Sequence, residues 1–157
     1  MLRRIFPVPI GRGRVAVVGR PRGGDWLADE LAALRADGFD VLASMLCADE
    51  EEALELTREA ETAARVGLEF VSLPVPDRDV PDVEQVRPVL ARLAKRVEDG
   101  AAVAAHCRMG IGRSCLFAAS LLRLSGVPSD EAWRQIEKVR GCPVPDTLAQ
   151  RAWLDRL

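Results

Sequence analysis

Residues 101–122, AAVAAHCRMGIGRSCLFAASLL, constrain the fold of this chain more than any other stretch. Residues 101–105 form an apolar run too short for a helix, which reads as a buried strand. The loop His106-Cys107-Arg108-Met109-Gly110-Ile111-Gly112-Arg113-Ser114 follows. Leu116, Phe117, Ala119, Ser120 and Leu121 then continue an apolar helical pattern. Strand, glycine-bearing turn and helix in that order aim backbone N–H groups and the positive end of a helix at one point, where an anion is welcome.

The rest of the chain repeats that alternation. Two short β-like segments, residues 2–10 and 14–18, flank Gly11-Arg12-Gly13 and predict a hairpin. After the breaker-rich Gly19-Arg20-Pro21-Arg22-Gly23-Gly24, whose arginines are candidates for the wall of a substrate groove, Asp25 is expected to cap a helix. That helix carries Trp26, Leu27, Leu31 and Leu34 as its apolar face up to Gly38. Residues 39–46 are apolar throughout, as in a buried parallel strand. The run Asp49-Glu50-Glu51-Glu52 opens a helical stretch, interrupted or not, to about Arg65, with acids where the helix dipole favours them, and reads as a solvated face. Residues 68–75 predict the next strand. A helix with Val83, Val86, Val89, Leu90, Leu93 and Val97 on one face ends at Gly100. Beyond the central stretch, Pro128-Ser129-Asp130-Glu131 starts a helix with Trp133 and Ile136 inward, and Asp146 or Thr147 caps a last one. Strands alternating with helices imply an α/β fold: a largely parallel central sheet, helices on both faces, and ligands at the carboxyl ends of the strands.

At 157 residues the chain has room for one domain, expected to span residues 1–157. Charge is balanced, 22 basic against 24 acidic residues, which argues against nucleic-acid or acidic-membrane partners. Neither a run of about 18 apolar residues nor a signal-peptide pattern occurs, so a cytoplasmic location and no membrane association are expected. Cys47, Cys107, Cys115 and Cys142 with a single histidine match neither a zinc site nor a disulfide framework, and no metal or organic cofactor is expected.

Every residue type in the central loop has a reason if the anion is a phosphate. Cys107, at a helix N-terminus among amides and a guanidinium, is expected to be favoured as its thiolate and so to be a nucleophile. Gly110 and Gly112 allow positive φ and close approach of the backbone. Arg113 returns to the same cradle and can grip two oxygens with its planar fork. Ser114 can donate a hydrogen bond towards Cys107.

The motif His106-Cys107-x-x-Gly110-x-x-Arg113-Ser114 resembles the phosphate-binding signature of the cysteine-dependent protein tyrosine phosphatase superfamily, and the length resembles its compact dual-specificity type. The resemblance implies a protein-tyrosine-phosphatase-like fold and hydrolysis of phosphoproteins, phosphotyrosine and also phosphoserine or phosphothreonine, through a cysteinyl-phosphate. It implies that residues 106 and 108–112, namely His106, Arg108, Met109, Gly110, Ile111 and Gly112, bind the substrate phosphate. The general acid of the family lies on a loop after a strand, about thirty residues before the nucleophile. Pro74-Val75-Pro76-Asp77-Arg78-Asp79 places it at Asp77, with Asp79 as the alternative. The C-terminal segment Pro143-Val144-Pro145-Asp146-Thr147-Leu148-Ala149-Gln150 is similar to the closing segment of compact members and makes Gln150 the candidate for orienting water. Cys47 resembles a cysteine of the superfamily's phosphoinositide-phosphatase tumour suppressor that bridges to the nucleophile, so a reversible Cys47–Cys107 disulfide is implied. Cys115 departs from the pattern, which has glycine there. Arg108, Met109 and Ile111 leave the loop without the paired lysines of the phosphoinositide phosphatases. A phosphorylated protein or peptide is therefore the expected partner of a monomeric enzyme. Two other classes stay open: a phosphate-recognition module without turnover, and a thiol enzyme handling sulfur or arsenate.

Overall fold

The computed structural model describes residues 4–157, and Leu2 and Arg3, where the first strand is expected to begin, lie outside the described residues. Strands β1 (Ile5–Ile10) and β2 (Gly13–Val18) form the expected hairpin, antiparallel with Ile5 opposite Val18 and Ile10 opposite Gly13. There follow α1 (Leu27–Ala36), β3 (Val41–Ser44), α2 (Ala48–Ala53), α3 (Glu59–Val66), β4 (Glu69–Ser72), α4 (Val83–Glu98), β5 (Ala102–His106), α5 (Arg113–Leu124), α6 (Ser129–Arg140) and α7 (Leu148–Trp153). The sheet order is β1-β2-β5-β3-β4, and every pairing beyond the hairpin is parallel.

All five residues of β5 are buried because both faces of the sheet are covered. Val15, Val17, Val41, Ala43, Val103 and Ala105 face a core shared with α4, α5 and α6. The alternate residues Ala16, Val18, Leu42, Ala102 and Ala104 face a second core built with Leu27, Leu31 and Leu34 of α1 and Ala63 of α3. Helix α5 lies between α4 and α6, and ten consecutive residues from Arg113 to Leu122 are buried. At about 1.5–3 kcal/mol for each large apolar side chain removed from water, this helix is anchored far more by Leu116, Phe117, Leu121 and Leu122 than by propensity.

Two local expectations change, and one alternative left open is decided. The acidic stretch after residue 48 is two helices, because Glu55 takes φ +57° and the carbonyls of Leu54 and Glu55 turn onto Gly23. A β-carbon at Gly23 would fall 2.2 Å from the Leu54 oxygen, so only glycine fits that contact. Asp25 caps nothing: it sits inside a short 3-10 turn, Gly24–Trp26, whose cap is Gly23. Trp26 is exposed rather than inward, with the Arg22 guanidinium 4.3 Å above its ring. By contrast, Asp82 and Thr147 cap α4 and α7 through their side chains. No helix among the described residues is long and apolar enough to cross a membrane.

The carboxyl ends of β3, β4 and β5 continue as segments tied to each other. The Met45 amide donates to the His106 carbonyl, Leu73 to Ser44, and Val75 to Met45. Residues 45–50, 73–81 and 107–112 are thereby gathered at one edge of the sheet.

Candidate active site

The loop of residues 107–112 joins β5 to α5, and Cys107 is buried at its base. Its Sγ accepts from the Gly110 amide at 3.3 Å and lies 3.1 Å from the Ser114 hydroxyl. The two glycines serve different needs. Gly110 takes φ +71°, as expected. Gly112 does not adopt positive φ but is required for space, since a β-carbon there would stand 2.5 Å from Asp146 Oδ2 and 2.9 Å from the Gln150 amide nitrogen. No side chain caps the start of α5, which leaves its first amides for a ligand. Arg108 is half-buried, Met109 is exposed, and Ile111 packs against the core beside α5.

Arg113 is 3% exposed and heavily partnered. Its Nη1 donates to Glu50 Oε1 at 2.7 Å and to the Val75 carbonyl at 2.7 Å, and its Nη2 donates to Glu50 Oε2 at 2.8 Å. Asp77 Oδ1 lies 3.3 Å from the same Nη2. The fork with Glu50 is the geometry that holds a guanidinium rigid. In return the Arg113 hydrogen bonds hold the Glu50 carboxyl below the usual range against the opposing effect of burial, helped by the Cys47 amide. Sequence reasoning took Glu50 for one of four solvated acids. The available signal was its position three residues after Cys47, where a carboxylate can accept from the amide at the helix cap.

The acid candidates are separated by what they touch. Asp77 is exposed and points at the guanidinium, in an open cleft of about 410 Å³ that it lines with Cys47, Asp49, Glu50, Pro76 and Arg108. Asp79 turns back to accept from the Val80 amide at 2.7 Å. Gln150 is fully buried beside Gly112, donating to the Asp79 carbonyl at 3.2 Å and accepting from the Thr147 amide at 3.2 Å. It thus ties the start of α7 to the acid-bearing segment.

His106 does not reach the loop's mouth. It is buried under the loop, with Nε2 2.5 Å from Oε1 of buried Glu59 and Nδ1 3.4 Å from the Cys107 carbonyl. The expectation of direct substrate contact gives way to a place beneath the loop, because Nε2 is taken by α3. Three further groups brace the loop and were missed or only half seen. Arg20 donates to the Arg108 carbonyl at 2.8 Å. Arg140, stacked 4.2 Å over the Phe6 ring, donates to the Gly110 carbonyl at 2.8 Å. Cys115 approaches the same carbonyl at 3.5 Å, and burial, the largest cause, pushes its thiol up to about 12. Cys47 is a free thiol on the cleft wall, raised above its ordinary value by desolvation and then by Glu50. Among the described residues no group of three His, Cys, Asp or Glu side chains is placed to hold a metal ion.

A family model described as a polymorphic toxin system DSP-PTPase phosphatase matches residues 16–126. Cyclin-dependent kinase inhibitor 3 of Mus musculus is 33% identical over 82 residues, a match covering 52% of this chain and 39% of the relative. The chain therefore spans about two fifths of the length of the curated relatives it matches. Among solved structures, kinase associated phosphatase with its catalytic-site cysteine replaced by serine superposes with a TM-score of 0.88 at 18% identity, covering 98% of this chain and 93% of that one. Tk-PTP in its active form gives 0.75 at 29% identity, covering 92% and 91%.

Proposed function

From a chain that belongs to the DSP-PTPase phosphatase family of polymorphic toxin systems, we propose hydrolysis of phosphoprotein monoesters, phosphotyrosine first and phosphoserine or phosphothreonine next, by way of a cysteinyl-phosphate. The observation that carries this reading is the sulfur of Cys107 between the Gly110 amide and the Ser114 hydroxyl, at the uncapped start of α5, which also bears the buried fork of Arg113. A sulfur so placed attacks phosphorus in line, while the amides and the guanidinium hold the equatorial oxygens. Similarity to cyclin-dependent kinase inhibitor 3 and the absence of paired lysines in the loop support a phosphoprotein over a phosphoinositide.

The resting contacts suggest how the acid is delivered. Nη1 and half of Nη2 of Arg113 are committed to Glu50 and the Val75 carbonyl, which leaves the edge where Asp77 sits. A phosphoryl group docking on that edge takes the place of the Asp77 carboxyl on Nη2. Asp77, protonated, then gives its proton to the leaving oxygen as the P–O bond breaks and the S–P bond forms. In the second step Asp77 takes a proton from water attacking phosphorus. The S–P bond breaks, and the departing thiolate accepts a hydrogen bond from Ser114. Gln150 positions the segment that carries the acid.

Hydrolysis of p-nitrophenyl phosphate and of phenyl phosphate, whose leaving group is poor, against pH tests the reading. Cys107→Ser should abolish turnover, and Asp77→Asn should lower kcat by about 100-fold or more for substrates with poor leaving groups. Absence of turnover by the unmodified protein at every pH, with tight binding of a phosphotyrosine peptide, would replace the enzyme by a phosphate-recognition module.

A further inference from the structure

Beneath the loop, Glu59 and His106 make a contact that the reaction above does not use. Glu59 is 1% exposed and His106 0%, and the Oε2 of Glu59 is buried with no hydrogen-bond partner. The proton count of the two imidazole contacts is informative. The Cys107 carbonyl can only accept, so Nδ1 must carry a proton to meet it. A second proton must lie between Nε2 and Glu59 Oε1, whose 2.5 Å separation excludes two lone pairs facing each other. A neutral imidazole brings only one proton. The pair must therefore hold one more, as imidazolium with carboxylate or as imidazole with carboxylic acid, and either way it has no net charge.

We propose that Glu59 is a positioning residue for Cys107: by sharing one proton with His106 it keeps Nδ1–H on the Cys107 carbonyl and keeps net negative charge away from the thiolate. This rests on the phosphatase reading for its effect on turnover but not for its proton chemistry. Without that shared proton the carboxylate would draw the remaining imidazole proton to Nε2. Nδ1 then turns a lone pair on the Cys107 carbonyl, and one negative charge appears under the loop. Glu51 of α2 is coupled electrostatically to both members of the pair and reinforces that charge. Apart from Cys107 itself, the pair is flanked by Ser44, opposite His106 in β3, and by Leu27, Leu31 and Leu34 of α1 on the α3 side.

The chain has a single histidine, so long-range proton–nitrogen spectra report on His106 without assignment. Nδ1 should bear a proton at neutral pH. In Glu59→Gln, whose amide can donate to Nε2, Nδ1 should stay protonated, whereas Glu59→Ala should lose that preference. For turnover, p-nitrophenyl phosphate needs little acid assistance and so reads the nucleophile. Glu59→Ala should lower kcat/KM on it about tenfold at neutral pH. Glu59→Gln, which keeps a donor on Nε2, should lower it less than about twofold. A wild-type spectrum with only Nε2 protonated at neutral pH overturns the proposal, as does a folded Glu59→Ala whose kcat/KM stays within about twofold of the wild type. If Glu59→Gln does not fold, the wild-type spectrum alone decides. If the chain proves not to hydrolyse phosphate esters, the spectra still stand as the test.

Discussion

Replacing Glu50 by Gln tests what holds Arg113 in place. In the wild type the guanidinium of Arg113, 3% exposed, donates two charge-assisted bonds of 2.7 and 2.8 Å to one carboxylate. The substitution removes the charge, leaves one acceptor, and turns the second position into a donor facing a donor. Breaking a buried pair by removing one partner costs about 3–5 kcal/mol. Two features lower that figure: the retained acceptor, and Asp77 at 3.3 Å, whose side chain is more than half exposed and so compensates weakly. The Val75 carbonyl remains as a further anchor. A loss of about 2–3 kcal/mol is expected, or about 4–12 °C in Tm for a chain of this size. The difference has a defined pH dependence. Because Arg113 holds the folded Glu50 carboxyl below its unfolded value, the stabilisation is fully present above about pH 5 and disappears as pH falls through the lower folded value. Thermal unfolding of both proteins from pH 3 to 8 reads this directly. The gap should be constant from about pH 5 to 8 and close on acidification. A gap under about 1 kcal/mol at pH 7 would put this pair in the class of surface bridges and refute the reasoning.

Cys115, buried and pushed up to about 12, should resist iodoacetamide at pH 8 in the native protein, as mass spectrometry would show, and become reactive only on unfolding. Cys47 and Cys107 leave the adjacent strands β3 and β5, so after mild peroxide a sulfenic acid on Cys107 should condense with the Cys47 thiol, releasing water. Peptide mapping that finds Cys107 only as sulfinic or sulfonic acid, with Cys47 free, counts against that bridge. Gln150→Ala removes the link from α7 to the Asp79 carbonyl and leaves buried groups unmatched, at a cost of about 1–3 kcal/mol. If Gln150 also positions the acid-bearing segment, kcat should fall while KM stays near its wild-type value; unchanged kcat would confine the residue to stability.

The stretch from β5 through the loop to α5 was legible in the sequence because its determinants are local. A short apolar run, a glycine able to take φ +71°, and an apolar helical period lie within 22 residues, and each constrains the chain without reference to a distant partner. The alternation that implied a parallel sheet is local in the same sense. The proline-bracketed loop after β4 was readable too, but which of its carboxyls, Asp77 or Asp79, lies near Arg113 was not. Tertiary structure alone decided the fate of like residues in like surroundings. Glu50 and Glu52 stand two positions apart in one acidic run, yet the first is buried on a guanidinium 63 residues away and the second faces solvent. Glu59 and Glu61 divide in the same manner, one on His106 and the other on exposed arginines. A charge on a helix carries no mark of whether it will be solvated, because desolvating it is tolerable only when a counter-charge is delivered by another element. That delivery follows from how β3, β5, α2 and α3 pack, and helical periodicity does not record it.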